Sequence, residues 1–517
     1  MKEHVRAHPW LWVSAALVAV AVAILVLGRV SPSYDPYGWL VWGYQALHLR
    51  LSLAGAPSWK PVTFLFTFPY SLLGHLSVRL WAVTATAMSL AGAVVAGRIA
   101  YKLVYDSTGA RRPAIAGGIA AGICLLGTVE YTKYWITAQV DPMLVTLFLL
   151  WIDLHLHGRP RLAFTALWLV SLGRPEAWPF LGLYSLYVWR TWPRMRVFVG
   201  VGLVLVPALW FGVPALSGTS PFVSGNLDMN SQNAIHGNKI TGTVTRFIDL
   251  SYWPVKLAAG AGLALAIYKR NWRVLALAAA CILWVATEIA FALHGWSAVP
   301  RYMFEAAGAM VVLAGVGVGW ILTETSKLTR TARVGGLAAV VALGGLLVPG
   351  AVAQVRFERA ALRHESWRTK QIERLADTIH AVGGYRFVRS CGAPSTNVAY
   401  ASILAWYTRL NVDEVGYLPG HVVLQRAPAV LFTQYNNGWE VQTYHLPKSR
   451  QHRCARLEDV YFGPERHHPE GILLAHSHLP DWYFTGKRPA QPPPGRVHLR
   501  QVRSGGSSGS PGSVSHA

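Results

Sequence analysis

Trp10-Leu-Trp-Val-Ser-Ala-Ala-Leu-Val-Ala-Val-Ala-Val-Ala-Ile-Leu-Val-Leu27 decides the class of this chain: a run of eighteen residues without a charge, preceded by Lys2 and Arg6 and followed by Arg29. A helix of about 20 apolar residues spans the hydrocarbon core of a bilayer with its backbone hydrogen bonds satisfied internally. The basic flank resembles that of a signal peptide, but the run is long and no small-residue cleavage site follows Arg29. It reads as a retained first helix.

Comparable runs recur at 75–97, 113–129, 141–156, 162–172, 177–189, 197–216, 251–268, 274–292, 302–322 and 334–353, giving eleven expected transmembrane helices. The whole chain agrees. Of 517 residues, 53% are hydrophobic and only 14% are charged, against about 25% in soluble domains. Too few charges remain to cover a soluble globule of this size. The 22 tryptophans fit as well, since indole rings favour the membrane–water interface. The expected fold class is therefore an all-α polytopic membrane protein with a small α/β domain after the last span.

A net charge of +23 in a soluble protein would suggest nucleic acid. Here the Lys and Arg residues gather in short connectors at 98–112, 157–161, 190–196, 269–273 and 327–333. Such clustering marks cytoplasmic loops and contact with anionic lipid headgroups, so the expected partners are membrane lipids and no nucleic acid. With the N-terminus inside, all the short basic connectors fall on one side. The odd helix count then puts the C-terminal domain outside. The localisation expected is the plasma membrane, multi-pass, with the functional face extracytoplasmic.

Residues 1–353 form the expected membrane domain and 354–485 a small extracytoplasmic α/β domain. Within the latter, an amphipathic helix at 356–382 ends at Gly383-Gly384, a glycine C-cap. A strand (Tyr385–Ser390), a helix (396–408) and a strand (Ala429–Gln434) are expected to follow. Residues 486–517 are Pro-, Gly- and Ser-rich and read as a disordered tail. Cys391 and Cys454 lie in the α/β domain, where an oxidising exterior would permit a disulfide. Cys124 and Cys281 lie in apolar runs and read as packing residues.

Candidate chemistry lies at the ends of the helices. The first long loop opens Ser31-Pro-Ser-Tyr-Asp-Pro-Tyr-Gly-Trp39, a single acid among aromatic residues directly after the first helix. A partly dehydrated carboxylate there suits general-base work toward a hydroxyl acceptor, or holding a cation against a phosphate. The plainer reading of Asp35 is a turn residue before Pro36 or a helix cap. Trp59 and Lys60 offer an aromatic platform and a cation, or simply an interfacial anchor and a headgroup contact. Asp141, at the mouth of a span, reads either as an N-cap or as an acid facing Asp35 across a cavity, helping to place a metal or acceptor.

Arg174 and Glu176 break an apolar region. Charges at membrane depth face a cavity or each other, so the alternatives are a site or a closed ion pair. Arg301 with Tyr302 opens a late helix, and an arginine so placed suits a phosphate or snorkels to the interface. The loop 217–250 carries Asp228, Asn230, Gln232, Asn233, His236, Asn238 and Lys239, which suits polar recognition and equally a plain solvated loop. There is no P-loop, GxGxxG, HExxH or CxxC pattern, so nucleotide-driven transport and zinc hydrolysis have no motif support.

This arrangement resembles the GT-C superfamily of integral membrane glycosyltransferases, over roughly residues 10–350. In that family an acid in the first extracytoplasmic loop is the catalytic base or metal-site acid, and Asp35 in Tyr34-Asp35-Pro36-Tyr37 matches its position. Leu172-Gly-Arg-Pro-Glu-Ala177 resembles the family's arginine-proline-glutamate stretch. Pro300-Arg301-Tyr302 resembles the pair that opens a late helix near the lipid phosphate. The resemblance implies a polyprenyl-phosphate-sugar donor, an extracytoplasmic glycan, lipid or protein acceptor, and Asp35 as base, with Trp59, Lys60, Asp141, Arg174, Glu176, Arg301 and Tyr302 around the substrates. A divalent cation (Mg or Mn) belongs with the two adjacent acids common in that loop, whereas this chain has one acid followed by proline. The Ala-, Val-, Arg- and Trp-rich composition is actinobacterial-like. The alternative function is a transporter or flippase of lipid-linked glycans, which calls for an internal repeat and polar groups at the bilayer midplane. No repeat is found.

Overall fold

The computed structural model describes residues 9–475 except 56, 230, 232, 419–427, 436, 458–459 and 466–467. The expected tail at 486–517, and Asn230 and Gln232 of the polar loop, lie outside the described residues.

Helices run α1 Pro9–Gly28, α2 Tyr34–Leu47, α3 Pro61–Ser71, α4 Leu76–Thr108, α5 Arg111–Leu126, α6 Tyr131–Ile136 and α7 Asp141–Leu156. They continue α8 Pro160–Ser171, α9 Trp178–Thr191, α10 Arg196–Pro207, α11 Val213–Leu216, α12 Val223–Met229 and α13 Lys239–Asp249. The membrane part closes with α14 Trp253–Tyr268, α15 Trp272–His294, α16 Phe304–Lys327 and α17 Arg330–Ala381. A π-helical stretch, Ala208–Gly212, links α10 to α11.

By length and apolarity six described helical segments could each cross a membrane: Pro9–Gly28, Leu76–Thr108, Pro193–Leu216, Trp272–His294, Pro300–Lys327 and Arg330–Ala381. A seventh arises if Lys239–Asp249 and Trp253–Tyr268, bent by 100°, count as one span. Eleven spans were expected. The runs at 113–129, 141–156, 162–172, 177–189 and 251–268 are helical too, but their helices have 16 residues or fewer.

Burial sorts these helices. In α1 only Ala21 is buried, so an apolar helix is left with its surface facing outward, as lipid contact requires. The segment Pro300–Lys327 is instead enclosed by protein over 89% of its most apolar window. Small residues allow this. A Cβ at Gly315 would run into the carbonyl oxygen of Gly117 on α5, and one at Gly317 into that of Ala258 on α14. Close backbone approach through small residues is how membrane helices gain packing where lipid removes the hydrophobic drive.

The 52-residue helix α17 carries the chain from the last apolar run into the C-terminal region without a break. At 1.5 Å per residue it is roughly 78 Å long, more than twice the hydrocarbon thickness. Thr329 caps its start by accepting from the Ala332 N–H.

The C-terminal region adds α18 Gly384–Cys391, α19 Ala401–Thr408 and α20 Lys448–Cys454. It also adds β1 Ala393–Asn397, β2 Gly416–Leu418, β3 Ala429–Tyr435, β4 Gly438–Tyr444, β5 Val460–Glu465 and β6 His468–Ala475. The sheet order is β2-β1-β3-β4-β5-β6. β1 pairs parallel with β2 and β3, and the remaining pairs are antiparallel.

Two expectations fail here. The strand expected at Tyr385–Ser390 is helix α18, which turns Val388 and Cys391 into the core. Over six residues a period of two and an i,i+3 pair are indistinguishable. The helix expected at 396–408 is divided, because β1 takes residues to Asn397 and only Ala401–Thr408 is α-helical.

Cys391 and Cys454 are joined across 63 residues. Constraining a loop of that length in the unfolded chain stabilises by roughly 4 kcal/mol in the chain-entropy picture. Reducing agent is therefore expected to lower the unfolding temperature of the oxidised protein and to leave a Cys391→Ser, Cys454→Ser variant unmoved. Paired thermal melts check this.

Candidate active site

Two loops are laced together at the end of the bundle that carries the C-terminal domain. The Ser33 N–H donates to the carbonyl of Thr137 at 3.0 Å, and the Gln139 amide donates to Ser33 Oγ at 2.8 Å. The Trp81 indole donates to the carbonyl of Ala138 at 3.0 Å. These bonds place the start of α2, with Asp35, against the start of α7, with Asp141. Both acids lie in the first turn of their helices, where a negative charge complements the macrodipole. Each is followed by a proline, tolerated in a first turn because its missing N–H has no partner there. Neither acid is the cap: the N-cap positions are Ser33 and Val140, and neither makes a side-chain cap bond.

The break between α8 and α9 is equally tied down. The Val62 N–H donates to the carbonyl of Leu172 at 3.1 Å. The indoles of Trp178 and Trp210 both donate to the Ser171 carbonyl, at 3.0 and 2.9 Å. They satisfy a helix-end carbonyl that would otherwise be orphaned. Arg174 projects from this break in extended conformation, just before a 3-10 turn, Pro175–Ala177.

The side chains then converge. Asp141 is fully buried and ion-paired to Arg174, with Lys60 Nζ 3.6 Å and Arg301 Nε 4.0 Å from its carboxylate oxygens. Arg301 also reaches Asp35, Nη1 to Oδ2 at 3.6 Å. Arg174 has Glu176 at 3.7 Å and stacks its guanidinium 3.8 Å over the Tyr302 ring. Lys60 lies 5.6 Å over Trp39, and Arg301 lies 5.5 Å over Tyr134. Among these groups three cations face two acids, Asp35 and Asp141. Burial, the largest influence on Glu176, pushes its carboxyl up toward the neutral form despite Arg174. Three cations gathered around one buried carboxylate suit an anionic ligand.

Lys60 is the responsive member. Burial lowers its pKa to about 8, against the opposing pull of Asp141, with Arg174 and Arg301 adding to the depression. Burial acts the same way on Arg174, but Asp141 and Glu176 outweigh it and raise its pKa.

The eight residues expected around the substrates lie in this neighbourhood, in two sets. Asp35, Lys60, Asp141, Arg174, Glu176, Arg301 and Tyr302 are linked by the contacts above. Trp59 is almost wholly buried: its indole donates to the Leu209 carbonyl at 3.0 Å and its ring packs on Trp42 at 5.5 Å. It walls a cavity shared with Lys60, Arg174, Glu176, Asp228 and Tyr302.

Asp228 is the residue that sequence reading undervalued. It accepts from the Ser297 N–H at 3.0 Å, from Ser297 Oγ at 2.7 Å and from the Tyr302 hydroxyl at 2.9 Å. Glu288 and Glu305 were also overlooked. Both are buried; Glu288 faces the Glu176 carboxyl, and neither Glu305 oxygen has a hydrogen-bond partner among the described residues. Glu288 is the one acid of its apolar helix, and Glu305 opens an apolar helix whose other acid, Glu324, lies in the last turn; an acid inside such a run marks a residue facing protein rather than lipid.

A divalent cation fits this donor set poorly. Asp35 and Asp141 are engaged by arginine and lysine, and among the described residues no group of three or more His, Cys, Asp or Glu is placed to hold a metal.

No protein-family model matches the chain, and no curated protein matches it. Among solved structures it is similar to ArnT from Cupriavidus metallidurans in the apo state, with TM-score 0.47 and 14% identity over 90% of this chain and 98% of that one. It is similar also to the same protein bound to undecaprenyl phosphate, with TM-score 0.46 and 13% identity over 90% and 98%.

Proposed function

We propose that this multi-pass membrane protein is a glycosyltransferase that moves a sugar from a polyprenyl-phosphate donor to an extracytoplasmic acceptor. The observation that carries the reading is Arg301, which lies between Asp35 and Asp141 and within 4.0 Å of both. One acid is thereby held next to a nest of fixed cations, the juxtaposition that transfer from a lipid phosphate demands.

Asp35 takes the proton of the acceptor hydroxyl as the acceptor oxygen bonds to the anomeric carbon. The bond from that carbon to the phosphate oxygen breaks, and the polyprenyl phosphate leaves with the electron pair. Arg301 and Lys60 neutralise the charge growing on the phosphate, at no reorganisation cost because they are already positioned. Arg174 is locked by Asp141 and Glu176 and stacked on Tyr302, so it shapes the site and holds Asp141 in place. A single displacement of this kind inverts the anomeric configuration.

The depressed pKa of Lys60 gives a pH signature. As pH rises through about 8 the ammonium loses its proton and one of the cations facing the phosphate disappears. Donor affinity is expected to weaken on that alkaline limb, and Lys60→Arg to remove the limb. Stability runs the other way. Lys60 binds its proton less readily folded than in the unfolded chain, so folding gains as pH rises from about 8 toward 10.5. The pH profile of the donor KM, measured with the melting temperature, separates the two.

The direct test is to incubate the purified protein with a panel of polyprenyl-phosphate sugars and measure release of the lipid phosphate. Release from none of them would reject the reading.

A further inference from the structure

We infer that Arg368, on the extension of α17, is a positioning residue that sets Asp35, and that the C-terminal region serves as a clamp on the catalytic loop. This rests on the functional reading above. Arg368 lies 333 positions after Asp35 and does not touch the ion-paired cluster. It holds the backbone that leads into it. Its guanidinium donates to the carbonyl of Ser31 at 2.8 Å and to that of Pro32 at 3.0 Å. Glu365 fixes the guanidinium from behind at 2.5 Å. The neighbouring Thr369 Oγ1 accepts from the Ser31 N–H at 2.8 Å. Two consecutive side chains of one continuous helix thus take three backbone groups of the segment immediately before α2, whose second residue is Asp35.

The far end of α2 is gripped as well. Asn411 accepts from the Ser52 N–H at 3.1 Å and donates to the Arg50 carbonyl at 2.8 Å, while Ser52 Oγ donates to Asp413 at 2.9 Å. Between the two grips Tyr37 packs against Tyr407, ring centroids 6.5 Å apart. Among the described residues the Asp35 carboxylate has one ion pair, to Arg301 at 3.6 Å, and no side-chain hydrogen bond, so the backbone grips do most to set its position. A general base must sit within hydrogen-bond reach of the proton it takes. A displacement of about 1 Å from a remote change costs on the order of 100-fold in rate.

The test uses the full-length protein in detergent, with Arg368→Ala and Arg368→Lys. Hydrogen–deuterium exchange is followed over 30–40, and kcat and KM with a polyprenyl-phosphate sugar. The expected result for Arg368→Ala is faster exchange confined to that segment, a kcat loss of about 100-fold, and an unchanged donor KM. Arg368→Lys, which keeps a cation and donors but loses the planar fork, is expected to recover part of the kcat. Unchanged exchange, or unchanged kcat, overturns the inference. So does a parallel loss of kcat, KM and folded protein, which marks a merely structural residue. Failure of the functional reading is visible separately, as wild-type protein that releases no lipid phosphate at all.

Discussion

Replacing Asp35 with asparagine is expected to abolish sugar transfer while leaving the protein folded. General-base catalysis contributes roughly 10²- to 10⁴-fold, and asparagine keeps the side chain's volume while losing its ability to accept the proton. The fold has little at stake. The Asp35 side chain is 20% exposed and touches one cation, Arg301, which retains Asp141 at 4.0 Å. Loss of a first-turn acid costs about 0.3–1 kcal/mol through the helix dipole. Activity and melting temperature measured on the same preparation separate the two effects. Full activity in Asp35→Asn would remove Asp35 from the mechanism.

Asp141→Asn is expected to do the reverse first: to destabilise the protein before any question of rate arises. Asp141 is 0% exposed, Arg174 3% and Lys60 8%. Neutralising the acid removes the carboxylate between two buried cations and leaves Glu176, 3.7 Å from Arg174, as the acid still paired to one of them. Removing one partner of a buried pair costs about 3–5 kcal/mol, mostly the penalty of the charge left behind. A large fall in unfolding temperature is expected in detergent, partly reversed by adding Lys60→Met, which removes one of the stranded charges. A melting temperature equal to the wild type's would show that Asp141 does not neutralise the cluster. The two aspartates, near neighbours on one arginine, thus make opposite demands on a variant.

Much of this was legible in the sequence, for a physical reason. Apolar runs such as Trp10–Leu27 can do little in water except leave it, and polar residues stranded between such runs have to find one another. That logic singled out Asp35, Asp141, Arg174 and Arg301 by position alone. The first loop was not legible. Its proline, glycine and aromatic residues read as irregular chain, yet α2 is a helix buried along Pro36–Gly43. It has no solvent face, so no amphipathic period marks it. Asp228 was lost among the amides of its loop, because the groups it serves, Ser297 and Tyr302, are about 70 residues away in sequence. The Arg368 contact was invisible for the same reason, being a side chain recognising backbone carbonyls that carry no sequence signature.

Catalysis at a lipid phosphate and transport of a lipid-linked glycan are separated by one measurement: purified protein in detergent, without a second compartment, given a polyprenyl-phosphate sugar and an acceptor. The expected result is acceptor-dependent release of free polyprenyl phosphate by the wild type and none by Asp35→Asn. An intact donor in detergent, together with movement of that donor between leaflets in reconstituted vesicles, would contradict it.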